Sequence, residues 1–291
     1  MPAAPSYVEH PPPPALRAMV ECIWTRQPPP TGMPPVHHRV LPDGCADLIL
    51  ELGRAASADG APGGLSCDLG AAYFVGAMTR PIVVRPDGPT WFVGVRCRRG
   101  AARALLGVPA TELTDQRAEL TALWPAGNEV LRDALCAAIG EDRTTPDQAA
   151  STADGHTTPA GPPAPVGRLL GALWRALQRR FDAEALPPSD LRCALNRIDD
   201  SDGTIRVDAL CGELGITRQH LARRFATHVG VTPKTYARIV RMRRVIARAG
   251  AERDLRWSRL ALDFGYADQA HLTSDFTRLV GVPPARWLAG G

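Results

Sequence analysis

Two short stretches of this chain carry side chains suited to reading the edges of DNA bases. In TRQHLARRF, residues 217–225, Leu221 and Phe225 stand four apart as an inward apolar pair, which leaves Arg218, Gln219, Ala222 and Arg223 on the outer face near a helix start. Arginine can grip guanine and glutamine can grip adenine with two hydrogen bonds each, so this face is a candidate for base contact, with phosphate contact or a solvated face as the alternatives. In DQAHLTSDF, residues 268–276, the pair is Leu272 and Phe276, and the outer face holds Gln269, Ala270, Thr273 and Ser274, with Thr277 just beyond. Asp275 complicates the second stretch. A carboxylate is repelled by phosphates unless it pairs with an arginine or accepts from a cytosine amine, so this helix is expected to read bases weakly and mainly to grip the backbone.

Base-reading side chains need a rigid support, and the surrounding sequence supplies one twice. VGVTP at 229–233 returns as VGVPP at 280–284, and Leu221, Phe225 and Val229 match Leu272, Phe276 and Val280 at a constant offset of 51. Upstream, Val207, Leu210, Leu214 and Gly215 match Trp257, Leu260, Phe264 and Gly265 at an offset of 50, so one residue is inserted in the turn, where an insertion is cheap. Each copy reads as a short apolar-faced helix, a glycine able to turn left-handed, a hydrophobic residue (Ile216, Tyr266), an N-cap (Thr217, Asp268) and a second helix. That is a helix-turn-helix whose second helix enters the major groove. The repeated phrase stops the second helix in both copies. Between them PKTYARIVRMRRVIARAG, 233–250, has proline at its first turn, apolar Ile239, Met242, Val245 and Ile246 at helical spacing, and glycine at its end, which predicts one connecting helix about 27 Å long. Successive major grooves on one DNA face lie about 34 Å apart, a compatible span. Arg241, Arg243 and Arg244 on this helix face either phosphate or solvent; Thr217, Asp268 and Thr277, with Arg241 and Arg244, make up the expected phosphate contacts.

The charge divides accordingly. Residues 203–291 hold 15 Lys+Arg against 7 Asp+Glu, while the rest of the chain holds 19 against 23. A basic module on an otherwise acidic protein fits a double-stranded DNA partner.

The repeat, the connecting helix and DFGYADQAHLTSDFTRLVGVPPARW resemble the DNA-binding domain of the AraC/XylS transcription regulators over about 203–287. The pattern G-[FY]-x-[SD]-Q-x-[HY]-[FL]-x-x-x-F of the second unit is met from Gly265 to Phe276. The resemblance implies base contacts at Gln219, Ala222 and Arg223, and Ser274 stands where many members carry arginine. It also implies a sensor or dimerisation domain ahead of the DNA-binding unit, with RNA polymerase, a small-molecule effector and a second copy of the chain as partners. HRVLPDGCADLILE and RPDGPTWFVGVRCRRGAARALLG resemble an N-terminal domain found in an actinobacterial-type branch of the family.

That first segment, 1–141, mixes four- to eight-residue β-branched and aromatic runs with PDG turns at 42–44 and 86–88, the pattern of a β-rich domain. Residues 142–165 are rich in Pro, Gly, Ala, Ser and Thr with almost no large apolar side chain, and read as a mobile linker. In 166–202 helices resume, and Leu169, Leu170, Leu173, Trp174 and Leu177 form one apolar face, either a dimer seam or a surface packed on its own domain. The fold class is therefore α+β: an N-terminal β-rich regulatory domain, linker helices, and an all-α domain at 203–291 of two helix-turn-helix units joined by a long helix.

The sensing chemistry of the first domain is not legible. His37, His38, Cys45 and Asp47 lie close together but lack any standard metal-ligand spacing, so no metal or cofactor is expected. Cys45 is either a redox-sensitive thiol or an ordinary buried one, and Trp91 and Phe92 line either a ligand pocket or the β core. Seven scattered cysteines argue for reduced thiols, and the lack of a signal sequence or a run of about 20 apolar residues predicts a cytoplasmic protein without membrane contact. No Ser/His/Asp set, phosphate-cradling glycine loop or HExxH is present, so the protein is read as not an enzyme. The rival readings are a DNA-binding regulator controlled by a protein partner, and a thiol enzyme built on Cys45 and His37 fused to a DNA-binding module.

Overall fold

Leucine at every second position of DLILELGR makes a strand with one inward face. Leu48, Leu50 and Leu52 are all fully buried in β4 (Asp47–Arg54). The computed structural model describes residues 7–28, 38–54, 65–84, 90–140, 164–181, 183–251 and 255–288. Its N-terminal part contains β1 (Tyr7–His10), β2 (Val20–Arg26), β3 (His38–Val40), β4, β5 (Leu65–Val75), β6 (Ile82–Val84), β7 (Trp91–Cys97) and β8 (Arg117–Glu119). Six of these form an antiparallel sheet in the order β1-β2-β7-β4-β5-β8, while β3 and β6 pair separately. The centre of the sheet sets Leu48 opposite Val95 and Leu50 opposite Val93, all of them fully buried. Trp91 packs partly buried against this core, whereas Phe92, buried on the alternate face of β7, lies under the Arg26 guanidinium, 6.0 Å from its ring centroid. The second PDG turn, 86–88, and His37 lie outside the described residues.

Helices α1 (Ala102–Leu106), α2 (Leu120–Leu123), α3 (Gly127–Gly140) and α4 (Ala164–Arg180) complete this half. The apolar face of α4, with Leu169, Leu170, Leu173 and Leu177, is buried in the N-terminal core, and Trp174 packs partly buried beside it. The stretch read as a linker, 142–165, lies outside the described residues except for Ala164 and Pro165, which begin α4.

The C-terminal part is helical throughout: α5 (Ser189–Asp200), α6 (Val207–Leu214), α7 (Arg218–His228), α8 (Pro233–Ala251), α9 (Trp257–Asp263), α10 (Gln269–Val280) and α11 (Pro284–Leu288). It has two cores. Leu210, Leu221, Phe225 and Val229 of the first unit pack with Leu191, Leu195 and Ile198 of α5, whereas Leu260, Tyr266, Leu272, Phe276 and Leu279 form the second. Helix α8 contributes to both: Tyr236, Ala237 and Val240 enter the first core, and Ile239, Met242, Val245 and Ala249 enter the second. At 3.6 residues per turn these positions fall on different sides of one cylinder. The connecting helix is thus a shared wall.

The two halves touch at the phrase that closes each copy of the repeat. Thr114 donates its hydroxyl hydrogen bond to the carbonyl of Gly230, which closes the first unit, and Gly281, which closes the second, lies against Pro81. Both glycines have positive φ, 93° and 84°. Ala77 joins the first helical core and Leu41 packs on the second. Arg99 pairs with Asp199 of α5 at 2.6 Å, and Asp199 also accepts a hydrogen bond from the Tyr236 hydroxyl.

Candidate nucleic-acid interface

The sequence AL-C-GELGI forces a sharp turn after α6 because a glycine follows the last helical residue and an apolar side chain follows that. Gly215 is left-handed, φ 64°, and the amide of Ile216 donates to Cys211 O across the turn at 3.1 Å. The second unit repeats this device one for one: Gly265 has φ 67°, and Tyr266 donates to Ala261 O at 2.8 Å. Each recognition helix then starts on a capping side chain. Thr217 Oγ1 accepts the His220 amide at 3.1 Å, and Asp268 Oδ1 accepts the His271 amide at 2.7 Å. Thr217 and Asp268, expected at phosphate, are therefore also the residues that set where the recognition helices begin.

On α7, Leu221 and Phe225 are fully buried, and Arg218, Gln219, Ala222 and Arg223 are all exposed on the opposite side. The three arginines of this helix differ. Arg218 forms an ion pair with Asp208 of α6, and Arg224 lies 3.4 Å from Asp190 of α5. Arg223 forms no ion pair with a carboxylate among the described residues; its Nη2 lies 3.5 Å from Nδ1 of His220. An arginine without an internal counter-charge loses least on moving to a base edge.

On α10, Gln269, Ala270, Ser274 and Thr277 are exposed and Thr273 is half-buried; together with Arg278 they line one shallow, open concavity. Thr277 spends its hydroxyl proton on Thr273 O at 2.8 Å. Asp275 is on the other side of the helix, 6% exposed, and takes both Nε (3.1 Å) and Nη2 of Arg238 from α8. That bidentate bond raises the Arg238 guanidinium further above its ordinary value, against the opposing effect of burial. The carboxylate thus meets an arginine inside the protein and is not presented to phosphate. Sequence spacing alone could not show this, because the partner lies on a different helix.

The connecting-helix arginines divide in the same way. Arg241 donates from Nε and Nη2 to the carbonyl of Gly203 at 3.1 and 2.7 Å and sits over the Tyr266 ring, 5.2 Å from its centroid. Arg244 pairs with Asp202 at 2.8 Å, while Arg243 is exposed. Arg241 is a staple between the entrance to the first unit and the turn of the second, a role that its position on a basic helix did not reveal.

In the N-terminal domain Cys45 is buried, and burial, reinforced by Asp43 and Asp47, pushes its thiol well above the ordinary range. A reactive thiolate needs the opposite shift. Asp47 accepts from Trp24 Nε1 at 2.9 Å and lies 3.5 Å from Arg96. Burial pushes its carboxyl up to about 6 even though Arg96 and Trp24 act the other way. Burial and the charge of Arg26 lower His38. Among the described residues no three His, Cys, Asp or Glu side chains gather as a metal site, and no helix is long and apolar enough to cross a membrane.

Residues 210–290 match the family described as helix-turn-helix domain, and residues 8–119 match a domain of unknown function (DUF6597). No curated protein sequence matches the chain. Among solved structures, ToxT from Vibrio cholerae O395 is similar over 98% of this chain and 97% of its own, at 10% identity and a TM-score of 0.41. An apo single-residue variant of ToxT from Vibrio cholerae strain SCE256 covers 92% of this chain and 96% of its own at 14% identity, TM-score 0.41. ToxT bound to (E)-4-(8-methylnaphthalen-1-yl)but-3-enoic acid covers 98% of each at 10% identity, TM-score 0.42.

Proposed function

From the AraC-type helix-turn-helix domain that the C-terminal part of this DNA-binding transcription regulator carries, we propose that the chain reads two adjacent major grooves in a sequence-specific way and is controlled through its N-terminal domain. The observation that carries this reading is the shared wall. Because α8 gives side chains to both helical cores, α7 and α10 are held as one rigid pair, and a 19-residue α8 is about 28 Å long. The first helix specifies bases through Gln219 and Arg223, with Arg218 and Ala222 beside them. The second presents small and polar Gln269, Ala270, Thr273 and Ser274, with Arg278 toward the end of the same helix, and adds mainly backbone grip. In this reading Thr217, Arg244, Asp268 and Thr277 contact phosphate, and Arg241 contributes through the fold that it staples.

Control through the first domain is supported by where the halves meet. Thr114 on Gly230 and Pro81 on Gly281 touch the closing turn of both units, so a shift of the β-rich domain moves both recognition helices. The partners of this reading are double-stranded DNA, RNA polymerase, a small-molecule effector and a second copy of the chain.

Selection of genomic fragments bound by the full-length protein, followed by the salt dependence of the best site, tests the reading. A shared motif with two blocks about one helical turn apart supports it. Binding without any motif, falling steeply with salt, refutes sequence reading by this form of the protein.

A further inference from the structure

His220 lies on the first recognition helix between the arginines and the rest of the protein, and its ring is engaged at both ends. Nε2 lies 2.7 Å from Asp190 Oδ2, on the first turn of α5, and Nδ1 lies 3.5 Å from Arg223 Nη2. The histidine and Asp190 side chains are about a quarter to a third exposed, so the contact is shielded from bulk water without being sealed.

The roles of the two ring nitrogens follow from the acid. Burial alone would raise the Asp190 carboxyl, but the hydrogen bonds from His220 and from the Leu191 amide, with the charge of Arg224, outweigh it and hold the group below the usual carboxylate range. An ionised carboxylate only accepts, so Nε2 carries the proton and donates. The Arg223 guanidinium carries only donors, so Nδ1, which it faces at 3.5 Å, is the accepting nitrogen. Arg224 Nε lies 3.4 Å from the same Asp190 oxygen and 3.3 Å from His220 Nε2, so this second arginine gathers at the Nε2–Asp190 contact while Arg223 faces Nδ1.

We propose that His220 is a positioning residue for base reading: tethered to Asp190 through Nε2, it offers Nδ1 as the acceptor that sets the direction of the Arg223 guanidinium, and so sharpens preference at one base pair. The inference rests on the reading of Arg223 as a base contact. The tether joins α5, which precedes the helix-turn-helix match at 210–290, to the recognition helix. A guanidinium with a fixed direction loses less freedom on meeting a guanine edge, and the wrong base is then penalised more.

Two conservative variants separate the ring's functions. His220→Asn keeps an oxygen acceptor near the position of Nδ1 and gives up the reach to Asp190. His220→Gln keeps a donor that reaches Asp190 and places no acceptor at Nδ1. The experiment is selection from a randomised duplex library with the full-length wild-type protein, both variants and Arg223→Ala, with the melting temperature of each recorded. Arg223→Ala identifies the base pair in question. The expected result is that His220→Gln lowers preference at that base pair about 5- to 10-fold with the other positions kept, while His220→Asn stays within about threefold of wild type.

Equal weakening on all sequences in both variants, or a larger loss of preference in His220→Asn than in His220→Gln, overturns the proposal in favour of a purely structural tether. If Arg223→Ala changes no base pair while a two-block motif persists, the assignment of Arg223 falls and takes this inference with it, but the tandem reading stands. If no motif is selected by any form, the tandem reading itself has failed.

Discussion

Arg238→Ala would leave the Asp275 carboxylate in the second core with nothing to balance it. The acid side chain is 8% exposed, the arginine is 26% exposed, and the pair is bidentate, so the interaction is neither a surface pair nor a fully sealed one. Exposed ion pairs contribute about 0–1 kcal/mol, whereas removing one partner of a buried pair costs about 3–5 kcal/mol, most of it the unpaired charge. The open side of Arg238 places this site at the low end, about 3 kcal/mol. The cost should fall when the acid goes too: Arg238→Met with Asp275→Leu should recover most of the loss, because the hydrophobic pair needs no counter-charge. Urea unfolding followed by tryptophan fluorescence reports on the right region, since Trp257 and Trp287 both pack edge-on against Phe276, at 5.4 and 5.9 Å between ring centroids. A loss below about 1 kcal/mol for Arg238→Ala, or no recovery in the double variant, would refute the argument that Asp275 is a buried charge held by one arginine.

Thr217→Ala and Asp268→Ala each remove the side-chain cap of a recognition helix and should cost about 1 kcal/mol in chemical denaturation; a cost confined to DNA affinity would mean that capping is secondary to phosphate contact. Gly281→Ala should destabilise by at least about 1 kcal/mol, since φ is 84° and a Cβ would stand 2.9 Å from Pro81 Cγ; an unchanged melting temperature would argue against the docking of the β-rich domain there. Asp47, whose folded-state carboxyl sits at about 6 against an ordinary 3.8, binds more protons folded than unfolded in that window. Its contribution is therefore full below about pH 4 and is lost as the pH rises through 6. Asp47→Asn should gain on wild type in melting temperature between pH 4 and pH 7, and a gain in the other direction would show the sign to be wrong. Exposed Cys193 should react with iodoacetamide in the native protein well before buried Cys45, as peptide mass mapping would read; the reverse order would contradict the burial of Cys45.

The tandem units were legible because their determinants are local. An i, i+4 apolar pair, a left-handed glycine and a capping Thr or Asp act within one turn of chain, and all recur at a fixed offset. The β-rich character of the first domain was legible for the same reason, from short β-branched and aromatic runs bounded by turn residues such as PDG at 42–44. What stayed hidden depends on residues brought together across the fold. Asp275 meets Arg238 37 residues away, His220 meets Asp190 30 residues away, and Arg241 reaches back to Gly203. Nothing in the neighbourhood of any of them announces its partner. The burial of the α4 face in the N-terminal core is of the same kind, because an apolar stripe states that something covers it and not what.

The double duty of α8 has a geometric corollary. Each residue added to or removed from an α-helix turns everything beyond it by about 100° and moves it about 1.5 Å along the axis. An insertion between Val240 and Met242 would therefore swing the second unit to a different side of the duplex while leaving both helix-turn-helix motifs chemically intact. The residue count of this helix is a protractor as well as a ruler, and under the proposed two-groove reading it sets the spacing and phase of the two blocks of the site.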